Sequence, residues 1–521
     1  MTEMTIGVPR FRGRVRRPEV LVIGGGLSGM TAALAARRTG AEVALVAEGA
    51  GVLELASGCI DRLAVPFEAL PPAHPYRLLG MAVVEDEIAE FRAEMARVGW
   101  PLSPGEHEVI TALGARRPTH LVGPGMAAPP PGEPVWVVGF RGLRDFDPAV
   151  VAAGMGGVPW SWVDLPGNPE EVHPVALARQ LENEAYREEV IDAVLSARDA
   201  AGLSIGASGL ATGASGVETV APGLATGASG LAAGASGLAA GASGPAAGAS
   251  GLTTGAAGLS IGASGLATGA SGQGAAGSSH GRRWVLFPAV LGLAGAVKVQ
   301  EDLAAATGMC VAEVLLPPPS VPGLRLAEAL RRAVQQAGVD LALGARAVRA
   351  EVENGRVRAV VCEGPGGQVT YEAEAYVLAT GGLLGGGIAA EGLEVREPLF
   401  GLRVATPGSS GQAPARRDSS GEDAPRQEQG STRQAAAPRD PSCWADADFL
   451  PAGGHPFVRV GVPVDEELRP EGLANLFVCG RTLAGYDPYA EGCGGGVAVA
   501  TGGAAGRLAG CLALSDGGER R

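Results

Sequence analysis

Six consecutive residues, Gly24-Gly25-Gly26-Leu27-Ser28-Gly29, have the types and spacing to hold phosphate. They form a G-x-G-x-x-G that directly follows an apolar run, Val20 to Ile23, and directly opens a helical pattern from Ser28 to Thr39. In that setting Gly24 permits a tight turn, Gly26 lets the backbone approach a pyrophosphate, and Gly29 allows helix and strand to pack closely. The N–H groups at the helix start and its partial positive charge then face the anion. A second strand, Glu42 to Val46, completes a β-α-β unit.

Three further glycine-rich elements accompany it, two of them strands that end in glycine and the third a helix start. Ala375 to Ala379 runs into Thr380-Gly381-Gly382, Asn475 to Cys479 runs into Gly480, and Glu491-Gly492-Cys493 leads to Gly494-Gly495-Gly496 at the start of an apolar small-residue helix. Elements of this kind at both ends of a chain are what a flavoprotein of the two-dinucleotide-binding type needs to close one nucleotide fold around its cofactor. The last helix start can aim N–H groups at a flavin carbonyl or at phosphate. Asp487 and Glu491 flank it, positioned for flavin hydroxyls or substrate, or else as solvated loop carboxylates. The acid that normally holds an adenosine ribose ends the second strand, where Ala47 stands, with Glu48 one step further. Either Glu48 turns back to the ribose, or the cofactor is the mononucleotide. Among six histidines, His455 lies nearest the C-terminal motifs and is the first candidate for a general base.

The elements that position these residues can be read from periodicity. Tyr76 to Val98 and Val175 to Ala197 are predicted as amphipathic helices, and Trp136 to Phe140 as a strand. Leu324 to Ala337 is predicted as a helix leading to Asp340 to Leu343. Asn354-Gly355 then marks a hairpin turn between two alternating strands, because that pair tolerates positive φ. The expected class is α/β: an FAD/NAD(P)-binding, Rossmann-like flavoprotein fold of the two-dinucleotide-binding type, with an inserted mixed or antiparallel sheet domain.

Not all 521 residues fit such a fold. From Ala201 to about Ser279 the chain repeats Gly-Leu-Ala-(Ala/Thr)-Gly-Ala-Ser with a period of seven. Two glycines and one leucine per repeat supply neither a coiled-coil seam nor helix propensity, so this is read as a low-complexity insertion. The polar segment 406–441 reads the same way. Removing both leaves roughly 400 residues, enough for a two-domain flavoenzyme. The division expected is a basic N-terminal tail (1–18), a first part of the flavin domain with inserted cap segments (19–199), and the repeats (200–281). A helix, hairpin and returning strand (282–405), the polar segment (406–441) and the C-terminal part of the flavin domain (442–521) follow.

A net charge of −14 argues against nucleic-acid binding, which needs a basic surface. The seven cysteines include no Cys-x-x-Cys pair, so no metal or iron-sulfur centre is expected within this chain, and the thiols fit a reducing cytoplasm. The arginines at 10, 12, 14, 16 and 17 imitate a leader, but the apolar stretch after them is the strand the nucleotide fold requires. The most apolar long stretch, Gly494 to Leu514, carries Arg507 and several glycines, so membrane contact is expected through a partner and not by a direct span.

The chain resembles the B subunits of anaerobic glycerol-3-phosphate dehydrogenase complexes. The motifs that carry the resemblance are Ser57-Gly58-Cys59-Ile60-Asp61, the stretch Thr111 to Thr119 with Arg116, and Gly139 to Phe146 with Arg141 and Arg144. Phe287-Pro288-Ala289-Val290-Leu291-Gly292, Val462-Pro463-Val464-Asp465 and Gly485-Tyr486-Asp487-Pro488 add to it. Together they cover most of the chain outside the low-complexity segments. The resemblance implies oxidation of sn-glycerol 3-phosphate to dihydroxyacetone phosphate, with electrons passed to quinone. It implies two partners, the FAD-containing dehydrogenase A subunit together with the iron-sulfur C subunit of the same complex. The complex is then held on the cytoplasmic face of the inner membrane. The cofactor implied is a flavin, FMN by the resemblance and FAD by the fold, with Ser57 and Gly58 added to the cofactor-binding set. Arg116, Arg141 and Arg144 become candidates for the substrate phosphate, since arginine binds it bidentately. A free-standing flavin oxidase or dehydrogenase of another small substrate is one alternative. A non-catalytic subunit for electron relay or assembly is the other.

Overall fold

A computed structural model of the protein describes residues 14–49, 51–203, 282–392, 394–406 and 455–518. The heptapeptide repeats from 204 and the polar segment from 407 lie outside the described residues.

The first described element, β1 (Arg14–Arg16), pairs in parallel at the edge of a sheet. This part of the basic segment is therefore a strand and not a tail. Next come β2 (Val20–Ile23), α1 (Leu27–Arg38) and β3 (Val43–Ala47), the expected β-α-β unit with the second strand one residue further along. After β3 the chain leaves this unit through α2 (Pro75–Leu79) and α3 (Met81–Arg97). The single helix expected from Tyr76 to Val98 is broken at Gly80, whose φ of 78° no helix accommodates.

The inserted region follows. It comprises β4 (Ser103–Ile110), β5 (Arg116–Val122), β6 (Val135–Phe140), α4 (Pro148–Gly154), β7 (Trp160–Val163), α5 (Pro174–Gln180), α6 (Glu184–Ala200), β8 (Trp284–Pro288), α7 (Ala296–Thr307) and β9 (Cys310–Val314). Asn183 caps α6 by accepting the Tyr186 N–H, which splits the helix expected from Val175 to Ala197. The six strands form one mixed sheet in the order β5-β4-β9-β8-β6-β7, antiparallel only between β4 and β5. It has its own core, in which the rings of Phe140 and Phe287 stack at 5.9 Å.

The chain returns through α8 (Val321–Gln336) and β10 (Asp340–Leu343) to the hairpin β11 (Arg346–Glu353) and β12 (Arg356–Gly364). Asn354 and Gly355 both take positive φ, 50° and 70°, as the turn requires. Then come β13 (Gly367–Tyr371), β14 (Ala375–Leu378), the ribbon β15 (Ala389–Glu391) and β16 (Glu394–Arg396), β17 (Leu476–Val478) and α9 (Gly494–Gly518). The nucleotide sheet is parallel throughout, in the order β10-β3-β2-β14-β17. Its three central strands, β2, β3 and β14, are buried along their whole length, as continuous apolar runs in a covered parallel sheet should be. This is the expected α/β class with an inserted mixed sheet.

Helix α9 is long and apolar enough to cross a membrane by length and composition, yet 67% of its most apolar 18-residue window is buried inside the fold. It lies on α1 through Gly502, Gly506 and Gly510. A Cβ on Gly506 would stand 2.0 Å from the Ala32 carbonyl oxygen, and one on Gly502 2.5 Å from that of Ser28. The two helices touch backbone to backbone, which fixes the start of α1 against the sheet.

Candidate functional site

The start of α1 is the best-formed anion site among the described residues. Gly26 caps it without a side-chain bond, and the first turn carries no acidic residue. The first helical bond is donated by Met30 to the Gly26 carbonyl, at 3.0 Å, so the N–H groups of Leu27, Ser28 and Gly29 precede the hydrogen-bonded ladder. Gly24 sits at φ +120°, and a Cβ there would lie 2.2 Å from the Ala379 carbonyl oxygen. Gly29 is closed off by the Gly24 carbonyl at 2.0 Å, and Gly25 by Ala47. Above Gly26, by contrast, nothing lies within 4 Å of where a Cβ would be, and the same holds for Gly49. Three glycines are small because protein fills their space, and Gly26 because something else can.

The other glycine motifs are placed differently. Gly480 lies at φ +67° with Ser28 Oγ 2.2 Å from its ideal Cβ, so it packs the β17 end onto α1 and lines no open space. At the start of α9, Gly494 packs on Pro488, Gly495 on Ile60, and Gly496 on the Tyr76 hydroxyl, while the Gly496 N–H donates to the Asp61 carbonyl at 2.9 Å. These glycines hold the 60–62 segment close to the helix. Ser57 Oγ accepts the Cys59 N–H, and Gly58 packs on the Pro322 carbonyl. Thr380 sits beside Gly24 with its Oγ1 buried and unpartnered, and Gly381 exchanges hydrogen bonds with Thr482. Gly382 packs on Arg481, whose Nη1 is likewise buried without a protein partner. Glu48 stands just past β3, 73% exposed, and 4.0 Å from Arg346.

Behind the Asp487 to Gly496 stretch is a buried cluster that reading the sequence did not assemble. His74 is fully buried; its Nδ1 accepts the Tyr76 N–H at 3.0 Å and so caps α2. A neutral ring that accepts at Nδ1 carries its proton on Nε2. That nitrogen is 3.2 Å from Glu491 Oε2 and 3.8 Å from Cys493 Sγ. Burial lowers the His74 pKa to about 4 and raises that of Glu491. Burial likewise pushes the Cys493 thiol up, to a value that leaves it protonated. The three side chains converge as metal ligands would. However, His74 Nε2 holds a proton and offers no lone pair, so the cluster is a hydrogen-bonded one. Glu491 also lines a cavity of about 420 Å³, together with Asp487, Tyr486, Arg459, Ala484 and Pro71. Asp487 accepts the N–H groups of Tyr489 and Ala490 and lies 3.3 Å from Arg459 Nε.

The sequence matches the FAD-binding domain family over residues 19–193 and 255–497. It is 31% identical to the probable B subunit of the anaerobic glycerol-3-phosphate dehydrogenase of Halobacterium salinarum, over 94% of this chain and 97% of that one. It is 26% identical to the B subunit of the anaerobic glycerol-3-phosphate dehydrogenase of Vibrio cholerae, over 93% of this chain and 94% of that one. The chain belongs to the family of anaerobic glycerol-3-phosphate dehydrogenase B subunits. Among solved structures, the FrdA chain of E. coli quinol fumarate reductase is similar at 11% identity and a TM-score of 0.35, covering 96% of this chain and 71% of that one. Of the two flavins the sequence leaves open, the family match is to FAD.

The residues of this family member fit that cofactor. The uncapped α1 start, the space over Gly26 and Gly49, and the orphaned Thr380 Oγ1 and Arg481 Nη1 are what a diphosphate and its attached groups would satisfy. The candidate phosphate arginines are not gathered there. Arg116 pairs with Glu108 at 2.6 Å, Arg141 with Asp164 at 3.0 Å, and Arg144 with Glu171 at 3.1 Å, all on the inserted region. Arg141 and Arg144 are mostly exposed, and exposed pairs of this kind contribute about 0–1 kcal/mol. His455 opens the turn Pro456–Arg459, with its ring 5.7 Å from Phe457, so the residue of that turn that reaches the cavity is Arg459.

Proposed function

We propose that this chain is the flavoprotein subunit of a respiratory anaerobic glycerol-3-phosphate dehydrogenase, oxidising sn-glycerol 3-phosphate to dihydroxyacetone phosphate. The observation that carries the reading is the 31% identity over 94% of the chain to a probable B subunit of such an enzyme. Bound FAD supplies a two-electron acceptor for the hydride of a secondary alcohol. The chain supplies the rest: Leu27, Ser28 and Gly29 N–H groups toward phosphate, with Thr380 and Arg481 as further polar contacts. The flavin domain is built from residues 19–199, 282–405 and 442–521, and the repeats lie between its motifs.

In this reading, electrons leave for quinone through an iron-sulfur C subunit, with an FAD-containing A subunit in the same complex. The complex sits on the cytoplasmic face of the inner membrane, attached through a partner, since α9 is committed to the core against α1. The test is anaerobic mixing of glycerol 3-phosphate with the reconstituted complex while the flavin absorbance of this chain is followed. Bleaching within a turnover time is expected. A flavin on this chain that stays oxidised while the complex turns over would leave the chain without its assigned role.

A further inference from the structure

The cavity beside Glu491 has a composition suited to chemistry. The hydrogen bonds to the Glu491 side chain converge on one oxygen: Oε2 accepts the Asp487 N–H at 2.9 Å and the Cys493 thiol at 3.7 Å, and His74 Nε2 lies 3.2 Å from it. Oε1 has no partner among the described residues. The side chain is 17% exposed, so a carboxylate backed by buried donors keeps one oxygen for the cavity. Arg459 lines the same cavity, 53% exposed, with Nε on Asp487 and both terminal nitrogens without a partner among the described residues. Asp487 is taken up by two N–H groups and Arg459. A volume of about 420 Å³ suits a small molecule. The cavity also adjoins the cofactor cradle, because the Tyr486 hydroxyl donates to the Gly480 carbonyl and Gly480 packs on Ser28 of α1.

We propose that this cavity binds a small anionic secondary alcohol, with Arg459 on its anionic group and Glu491 Oε1 as the acceptor of its hydroxyl proton. The inference rests on the reading that the chain oxidises a phosphorylated three-carbon alcohol. The carbinol O–H proton passes to Glu491, the C–H hydride passes to the flavin as the two-electron oxidant, and the carbinol becomes a ketone. The proton leaves to solvent through the cavity once product departs. His74 is a positioning residue: its Nδ1 is fixed by the α2 start, which packs Nε2 3.2 Å from Oε2 on the side away from Oε1. Burial raises the carboxyl toward the range a general base needs, against the lowering contact of Arg459. The groups facing it are His74, Asp487, Cys493, Tyr486 and Arg459.

The test uses the holo-complex with Glu491→Gln, Arg459→Gln and His74→Asn. Binding of glycerol 3-phosphate is measured by calorimetry under anaerobic conditions, and flavin reduction by stopped flow from pH 5 to 9. Glu491→Gln should bind within about threefold of the parent but reduce its flavin at least about 100-fold more slowly. Arg459→Gln should bind at least about tenfold more weakly and keep its rate at saturation. His74→Asn should move the acidic limb of the pH profile. Normal reduction by Glu491→Gln, with the parent reducing, overturns the proton assignment alone. A parent that neither binds nor is reduced overturns the substrate reading and this site with it. Flavin content and near-UV circular dichroism identify a misfolded Glu491→Gln, in which case unchanged binding by the surface variant Arg459→Gln overturns the site.

Discussion

Arg325 of α8 and Glu313 of β9 form a forked ion pair, at 2.5 and 2.9 Å, with both side chains wholly out of solvent. Further bonds fill the carboxylate and hold the guanidinium: Gln300 and the Leu291 N–H donate to Glu313, and Arg325 Nε donates to the Gly292 carbonyl. The pair joins the inserted sheet to the flavin domain through the Phe287 to Gly292 motif. Removing one member leaves a charge buried without its partner, so Arg325→Met should cost about 3–5 kcal/mol. Adding Glu313→Leu should recover part of that loss. Urea denaturation of the parent and the two variants measures both; a double variant no more stable than the single one refutes the pairing argument.

Gly506→Ala should be more harmful than its one methyl suggests. The new Cβ meets a backbone carbonyl on α1, which cannot rotate away, so the helices must separate. Overpacking of this kind costs about 1–3 kcal/mol. Because α1 also presents the Gly26 N-terminus, flavin retention on dilution should fall together with the melting temperature. Gly366→Ala, where a Cβ meets nothing within 4 Å, is the control and should stay within about 0.5 kcal/mol. Equal effects in the two variants would remove the close-contact explanation.

The nucleotide fold was legible because its signals are local. A glycine triplet between an apolar strand and a small-residue helix, and an Asn-Gly turn between alternating strands, need no distant information. The inserted sheet was mostly illegible: of its six strands only β6 was expected, because short runs such as Val285 to Phe287 have no alternation to separate strand from helix. The site followed the same rule. Glu491 stood out beside its glycines, whereas His74 announces only a helix start, and 417 positions separate it from the carboxylate it packs against. The arginines singled out in the matching motifs have acidic partners within their own region, and the Arg141–Asp164 pair is visible only once β6 and β7 lie side by side.

Acid should weaken the fold through His74. Its folded pKa, lowered to about 4 by burial, lies below the ordinary histidine value. As the pH falls, the unfolded chain takes up this proton first. The stability contributed by the neutral ring is full above about pH 6.5 and is lost between there and about 4, by up to roughly 1.4 kcal/mol per pH unit. His120, lowered by burial and Arg62, acts with the same sign. Glu491, raised by burial, acts oppositely, since its contribution fades as pH rises. His74→Asn keeps a cap acceptor and removes the titration. Its loss of stability from pH 7 to 5 should be smaller than the parent's by at least about 1 kcal/mol, as read by urea midpoints. Parallel curves would place the acid sensitivity elsewhere.

Gly24 and Gly26 should fail in different ways, because their small size has different causes. At Gly24 the backbone takes φ +120° and an added Cβ strikes the Ala379 carbonyl, so Gly24→Ala damages the junction of β2, β14 and α1 whether or not cofactor is bound. Strain plus a backbone clash should lower stability by about 2–3 kcal/mol in the flavin-free protein. At Gly26 the backbone is extended and the space is empty of protein, so Gly26→Val should leave the flavin-free melting temperature nearly unchanged. Its side chain would instead occupy the position over the α1 N–H groups, and FAD affinity should fall at least about 100-fold, the equivalent of roughly 3 kcal/mol. Two measurements on each variant separate the cases: thermal unfolding after flavin removal, and fluorescence titration with FAD. Full FAD affinity in Gly26→Val would mean that the diphosphate does not rest on α1, and the cradle would have to be sought around Thr380 and Arg481.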